Sequence, residues 1–407
     1  MAAKKAAAVQ VESQNLPFVI GSAFNIQPYL ETESTAAIQA ALQAIPYGGT
    51  LMLGPGTYRV SNLTLPPGVS LVGAGPFATV LLGRNTGETI VTLSDASSLR
   101  NLKVDGGDTR SAGFSVVVAG NGVVIDSCTF YHYYIAITAG ALSGPTGPQF
   151  VINPQVRDCN FAFPQVYSGG GAAQFLHFSN AQVTGCVVAG PEAGAQPDFG
   201  LRFQNGDTAF VSNNNITVHG QALLIDTPPG FNIYSFVSSS NCYDSSGPTA
   251  SVSAPSSAAI IAGGGVYNTQ FSNDWFGLSR QGSGCLVTTY GTGLVDGVAF
   301  TGCQFPGNKQ NGLTMSGSQV LNWQVTGGHS EGNASGIAAQ AGTSRFTITG
   351  HRAGNAAGRG PNNIGINVLG GSPSNHYVIT GNNTYGNTSV GIYDGGTGTH
   401  KVVANNL

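Results

Sequence analysis

Titratable side chains are scarce in this 407-residue chain, which holds 15 Lys and Arg, 18 Asp and Glu, and 7 His. The densest set runs from His177 to Asp226 and includes Glu192, Asp198, Arg202 and His219. Two carboxylates flanking a glycosidic bond hydrolyse it with retention when about 5 Å apart, and with inversion at about 6.5–9.5 Å. Glu192, Asp198 and Asp226 are the candidates for such a pair. An Arg or His base facing a uronate instead suits β-elimination, where a cation must offset the charge that develops beside the carboxylate. Arg202 and His177 are the residue types for that reaction, with Gln204 and His219 as neighbouring substrate contacts. The structural alternative is a surface ion pair of Arg202 with Glu192 or Asp226.

A second constellation is FYHYY at 130–134. Aromatic faces there could stack on sugar rings. Strand alternation lets Tyr131 and Tyr133, or His132 and Tyr134, share the outer face; core or inter-subunit packing is the alternative. VDGGDT at 104–109 could offer carboxylates to Ca²⁺, but an Asp-Gly turn explains it as well. Six cysteines occur without a CxxC pair, so neither a zinc site nor any other metal centre is expected. No G-x-S-x-G elbow, P-loop or tandem calcium-binding repeat is present, and no cofactor is called for.

The elements that position these residues come from an internal repeat. An apolar residue followed by a short polar turn recurs at Ile125-DSC, Val156-RDC, Val183-TGC, Val211-SNN, Val237-SSS, Phe271-SND, Phe300-TGC, Val325-TGG, Ile348-TGH, Ile379-TGN and Val403-ANN. The spacing is 23–34 residues. After most turns comes a small residue and then apolar-x-apolar, as in GLRF (200–203), ALLI (222–225) and GLTM (312–315). Two short strands per repeat without a helical pattern predict a parallel β-solenoid, its coils stacked at about 4.8 Å. Cys128, Cys159, Cys186 and Cys303 share one column with Asn214, Asp274, Asn382 and Asn406. Side chains in one column form a line and not a tetrahedron, so these thiols are expected to pack. Taking Leu176, Leu201 and Leu223 as equivalent inward positions puts His177, Arg202 and Leu224 in one outward column. Ser179, Gln204 and Asp226 then share the next. Insertions at 139–150, 189–200 and 243–258 are expected to wall a groove or to be passive loops.

The N-terminal part is more specific. STAAIQAALQAI (34–45) reads as one amphipathic helix with Ser34 or Thr35 as N-cap. GGTLMLGPGTYRVSNLTLPPGVSLVGAGPFATVL (48–81) follows it. The helix, the G-G-T…P-G-T-Y segment and LTLPPGVSLVGAG together resemble the opening of the pectate-lyase-like right-handed β-helix superfamily. Many phage tailspikes and bacterial polysaccharide lyases and hydrolases belong there. The regular C-terminal third, with Asn and Gly at its turns, is similar to phage tail-fibre and tailspike shafts. The resemblance implies an all-β right-handed parallel β-helix with a helix capping its first coil. It also implies a homotrimeric virion spike or fibre contacting a bacterial surface glycan, with or without cleavage. A non-catalytic particle protein and a bacterial lyase or hydrolase are the alternatives. The Y-G-F-D-P-H-type motif associated with alginate epimerases is absent.

Residues 1–30 are expected to be an arm and lead-in, able to meet other virion proteins, and 31–407 a single β-helix domain. The start MAAKKAAAVQVESQ lacks the apolar core of a signal peptide, so synthesis in a host cytoplasm is expected. The end VVANNL reads as a coil turn whose cover would come from a partner or symmetry mate. Charged residues make up only 8% of the chain, against about 25% in an average domain. With a net charge of −3 and no long basic cluster, a nucleic-acid partner is not expected. No apolar run reaches the roughly 18 residues of a membrane span.

Overall fold

The computed structural model describes residues 18–20, 26, 28 and 34–407, apart from 109, 144–146, 192–194, 218, 250–254 and 355–358. The chain winds into an all-β parallel solenoid of about 12 turns. Among the described residues, a single short helix stands near the N-terminus. Each full coil has three strands, one more than the repeat pattern predicts. Ala181–Thr184, Val187–Ala189 and Phe199–Phe203 form one coil, and each pairs in parallel with its counterpart in the next. Three sheets therefore run along the rod, called here first, second and third in that order. The second-sheet strand escapes a periodicity search because it is three residues long and starts immediately after the turn.

That turn depends on one left-handed residue. Ser127, Asp158, Asn213, Ser240 and Asn273 have φ of 51–57°, and Gly185 and Gly302 occupy the same place. Left-handed backbone is cheapest for Gly and tolerable for Asn and Asp, hence the recurring DSC, TGC and SNN. The predicted column of apolar residues is in register from Ile125 through Val211 and from Phe271 through Val403. It slips once. Ser238, not Val237, stands between Val211 and Phe271. Ser238 is buried, 2.9 Å from the Tyr243 hydroxyl, and it accepts a hydrogen bond from Asn241. A satisfied polar side chain pointing inward is invisible to a search for apolar residues.

The cysteine column is a hydrogen-bond ladder. Cys128 and Cys303 point Sγ at the carbonyls of Leu99 and Phe271, one coil back, at 3.4 Å. Asn214, Asn241, Asn382 and Asn406 donate Nδ2–H to the equivalent carbonyls of Val183, Val211, Ile348 and Ile379. The asparagine side chains also accept: the Cys186 N–H reaches Asn214 Oδ1, and the Asn214 N–H reaches Asn241 Oδ1. All six cysteines are free. Burial pushes the Cys303 thiol up to about 12, helped by the charge of Asp274, so it is inert as a nucleophile. Further in, aromatic rings stack from coil to coil, as in Trp323–Phe346–Tyr377 with centroids 4.2 and 4.7 Å apart.

The helix Thr35–Ala44 closes the first coil. Its Ile38, Ala41 and Leu42 are buried against the strand Leu63–Leu65. Gln39 pairs with the backbone of Thr64 through both of its amide atoms. Ser34 occupies the N-cap without a side-chain cap bond, while Thr35 accepts the Ser61 N–H. Covering the edge of the first coil removes a template for strand addition.

Asp274 is the misfit in the ladder. It is fully buried, and its Oδ1 accepts from the backbone N–H and from Nδ2 of Asn241. Among the described residues, no group makes a hydrogen bond of ordinary geometry to its Oδ2. Burial raises its pKa to about 6, with the Asn241 bonds opposing. The protonated form thus contributes stability that is complete below about pH 4 and lost as pH rises through about 6. Asp274→Asn places a donor where its neighbours have one. It should raise stability at pH 7 by about 2–3 kcal/mol and little at pH 4, measured by denaturant or thermal unfolding at both pH values.

Candidate functional site

The 177–226 set is only partly assembled. Gln174, not His177, shares the column of Arg202 and Leu224, because the third-sheet strand is Gly171–Phe175. FLHF (175–178) imitates the apolar-x-apolar pattern, while the true strand GAAQF is dominated by small residues. His177 instead packs its ring 4.8 Å from that of Phe150, and burial lowers its pKa. Gln204 and Asp226 are neighbours, as their spacing predicts, but Ser179 bonds Asp207. Arg202 grips Asp226 with two nitrogens, Nε–Oδ1 at 2.9 Å and Nη2–Oδ2 at 2.5 Å, and Gln204 donates to the same Oδ2. Burial raises the Asp226 pKa, with Arg202 and Gln204 opposing it. The structural alternative, an ion pair of Arg202 with Asp226, is what the geometry contains.

Asp198 accepts the Gly169 N–H at 2.7 Å, which ties two coils together. His219 is fully buried, its Nδ1 against the Thr217 carbonyl, and burial drives its pKa to about 4. It is buried where the second and third insertions join over its coil: Gln196 N–H reaches Pro248 O, and Gly247 N–H reaches Gln196 Oε1. Glu192 lies outside the described residues.

The structure does unite VDGGDT with FYHYY. Tyr131 opposes Asp105 across one coil step. His132 has φ +50°, which breaks strand alternation, so Tyr131 and Tyr133 do not share a face. Tyr133 turns inward, is fully buried and meets Phe161 edge to face. A substrate outside the rod cannot reach it. Tyr134 faces the loop and donates to Ser168 O. His132 holds Nδ1 2.8 Å from Asp105 Oδ1 and Nε2 3.3 Å from Asp108 Oδ1. Lys103 Nζ lies 3.2 Å from Asp105 and 4.7 Å from the centre of the Tyr131 ring. Burial alone would raise the Asp105 pKa. Hydrogen bonds from His132 and the Gly107 N–H, with the His132 and Lys103 charges, outweigh it and hold the carboxyl below its usual range.

This cluster opens on a cleft of about 500 Å³, walled by His132, Phe163, Gln165 and Pro191. Phe163 has φ +53° and leaves 62% of its surface exposed, its ring edge-on to Tyr131. An exposed aromatic face suits the C–H face of a sugar. Asp105 orients the imidazole through Nδ1, and the partner of Nε2, Asp108, is 88% exposed, so a bound molecule that displaces it meets Nε2. Nε2 can then exchange a proton with a bound molecule. Among the described residues, no three His, Cys, Asp or Glu side chains converge as metal ligands. The sequence signal was one coil of separation between two fragments read independently.

No family model and no curated protein matches this chain. Solved structures do. The A-module of the Azotobacter vinelandii mannuronan C-5 epimerase AlgE4 superposes over 95% of this chain and all of its own, at 16% identity and TM-score 0.55. The Dettilon tailspike protein matches over 95% of this chain and 69% of its own, at 16% identity and TM-score 0.57. PfbA, a surface adhesin of Streptococcus pneumoniae, matches over 89% and 90%, at 12% identity and TM-score 0.55.

Because Arg202 and Asp226 are mostly sheltered, removing one partner strands the other. Arg202→Ala and Asp226→Ala should each cost about 1–3 kcal/mol, and the double variant clearly less than their sum, in a double-mutant cycle by chemical denaturation. At this level of identity the shared feature is architecture, and the chain has the right-handed parallel β-helix fold.

Proposed function

We propose that this chain is the glycan-contacting shaft of a phage or phage-derived spike or fibre, and that the His132–Phe163 cleft is where it meets a bacterial surface polysaccharide. The observation that carries this reading is the exposed Phe163 ring beside a carboxylate-oriented imidazole, on the flank of a rod. The fold is shared with a tailspike, a surface adhesin and an epimerase of a polysaccharide, which supports it. If the bound polymer is also cut, His132 is the proton-transfer group, in place of the Arg202–Asp226 pair.

A second reading, a non-catalytic structural shaft, draws on the first sheet. Its outward column runs Thr184, Ser212, Ser239, Ser272, Thr301, Thr326, Thr349 and Thr380, in register and uncharged. Such a flat hydroxyl face permits lateral packing in a homotrimer.

The test is incubation with capsular polysaccharides and lipopolysaccharides of candidate hosts, read by co-elution, chain shortening and new ultraviolet absorbance from unsaturated uronates. One polymer should bind, and Phe163→Ala should weaken binding about fivefold. Any cleavage should be lost in His132→Ala with binding retained. Absence of binding across the panel overturns the glycan reading in favour of the shaft.

A further inference from the structure

We propose that a second cleft, on the same edge of the rod as His132, is a cationic subsite for the acidic groups of an anionic glycan. This rests on the reading of the rod as a glycan-contacting protein. The shared edge follows from register. Tyr131, Ala162, Ala189, Thr217, Asp244, Gly277, Pro306 and Glu331 end successive second-sheet strands or stand at equivalent places. The His132 cleft lies beyond the ends of the 131, 162 and 189 strands. A cleft of about 610 Å³ lies beyond the 244, 277, 306 and 331 strands, walled by Ser245, Leu278, Arg280, Lys309 and Ala334. Seven coil steps of about 4.8 Å set the two ends of this track about 34 Å apart. The joined insertions at Gln196 and Pro248 stand between the clefts.

The cleft floor is built to hold two cations one above the other. Ser279 N–H donates to Asn308 Oδ1, Asn308 N–H to Asn333 Oδ1, and Asn333 N–H to Asn362 Oδ1. This second buried ladder makes 279, 308 and 333 equivalent, so Arg280 and Lys309 follow it in one column, a single coil apart. Both side chains are exposed. Among the described residues Lys309 has no carboxylate partner. Arg359 stands behind the cleft residue Gly307, over the Trp275 ring, and its charge acts on Asp244. Two of the chain's 15 Lys and Arg thus line one cleft, with Arg359 close behind it. Two exposed cationic side chains on one column, Lys309 without a competing carboxylate, offer an anionic substituent charge-assisted contacts a coil apart. The spacing along a rigid column suits acids carried on an extended polymer.

The probes are polygalacturonate and its fully methyl-esterified form, which differ in charge on one backbone. Binding is measured by calorimetry for the wild type, Arg280→Gln/Lys309→Gln and Lys309→Arg, at about 50 and about 500 mM salt. The wild type should prefer the acid form about tenfold. The double variant and raised salt should each remove the preference, and Lys309→Arg should keep it. Circular dichroism should match throughout, since both side chains are exposed. Equal binding of the two forms, or an unchanged preference in the double variant, overturns the cationic subsite and leaves glycan contact standing. So does failure to bind either form when a surface glycan of the host panel is bound. Failure to bind any of these polymers overturns both.

Discussion

Everything here depends on main-chain hydrogen bonds that run along the rod axis and must stay in register through every turn. Parallel strands can satisfy each other only if each coil bends at equivalent places. A coil that gained or lost an inward position would turn its side chains to the wrong face. The left-handed residues at Ser127, Asp158, Asn213 and Asn273 make the bend. The Asn214–Asn241 and Asn308–Asn333 ladders then satisfy backbone groups that the bend would leave buried and unpaired. Cysteine does part of the same task with a weaker donor, which is why thiols and amides interchange in one column.

This division of labour governs where chemistry can sit. Inward faces are filled by stacked Phe, Trp and aliphatic side chains, and part of the third sheet's outer face is closed by a second apolar cluster of Ile135, Phe199, Leu224 and Ala259 and by the Arg202–Asp226 pair. Positions just past the second sheet are released from pairing. Loops of different length leave there, and residues such as His132 and Phe163 adopt positive φ, which aims side chains that strand alternation would hide. Both clefts open along this edge. The low charge of the chain adds contrast, since a few cations or one carboxylate–imidazole pair stand out against Ser, Thr, Asn and Gly.

The sites follow different physics. At His132, two carboxylates compete for one imidazole, and burial of Asp105 is offset by the charges beside it. At Arg202, opposite charges satisfy each other and little reactivity is left over. At Arg280 and Lys309, two exposed cations follow one buried ladder a single coil apart.

Much of the architecture was legible in the residues themselves. Recurrent apolar-turn units, the helix at 34–45 and the shared place of cysteine and asparagine all follow from local sterics and from the period of the repeat, which the chain carries in its own order. Tyr133 shows where that ends: its direction depends on the backbone of His132, and alternation alone sends it the wrong way. His177 and Val237 fail for a related reason. Small residues in GAAQF and a buried, satisfied Ser238 carry no apolar signal, so only pairing with adjacent coils decides register. The meeting of Asp105 with His132, and the shared column of Arg280 and Lys309, needed the length of each intervening coil. That length is set by loops whose path the folded rod, not the local sequence, determines.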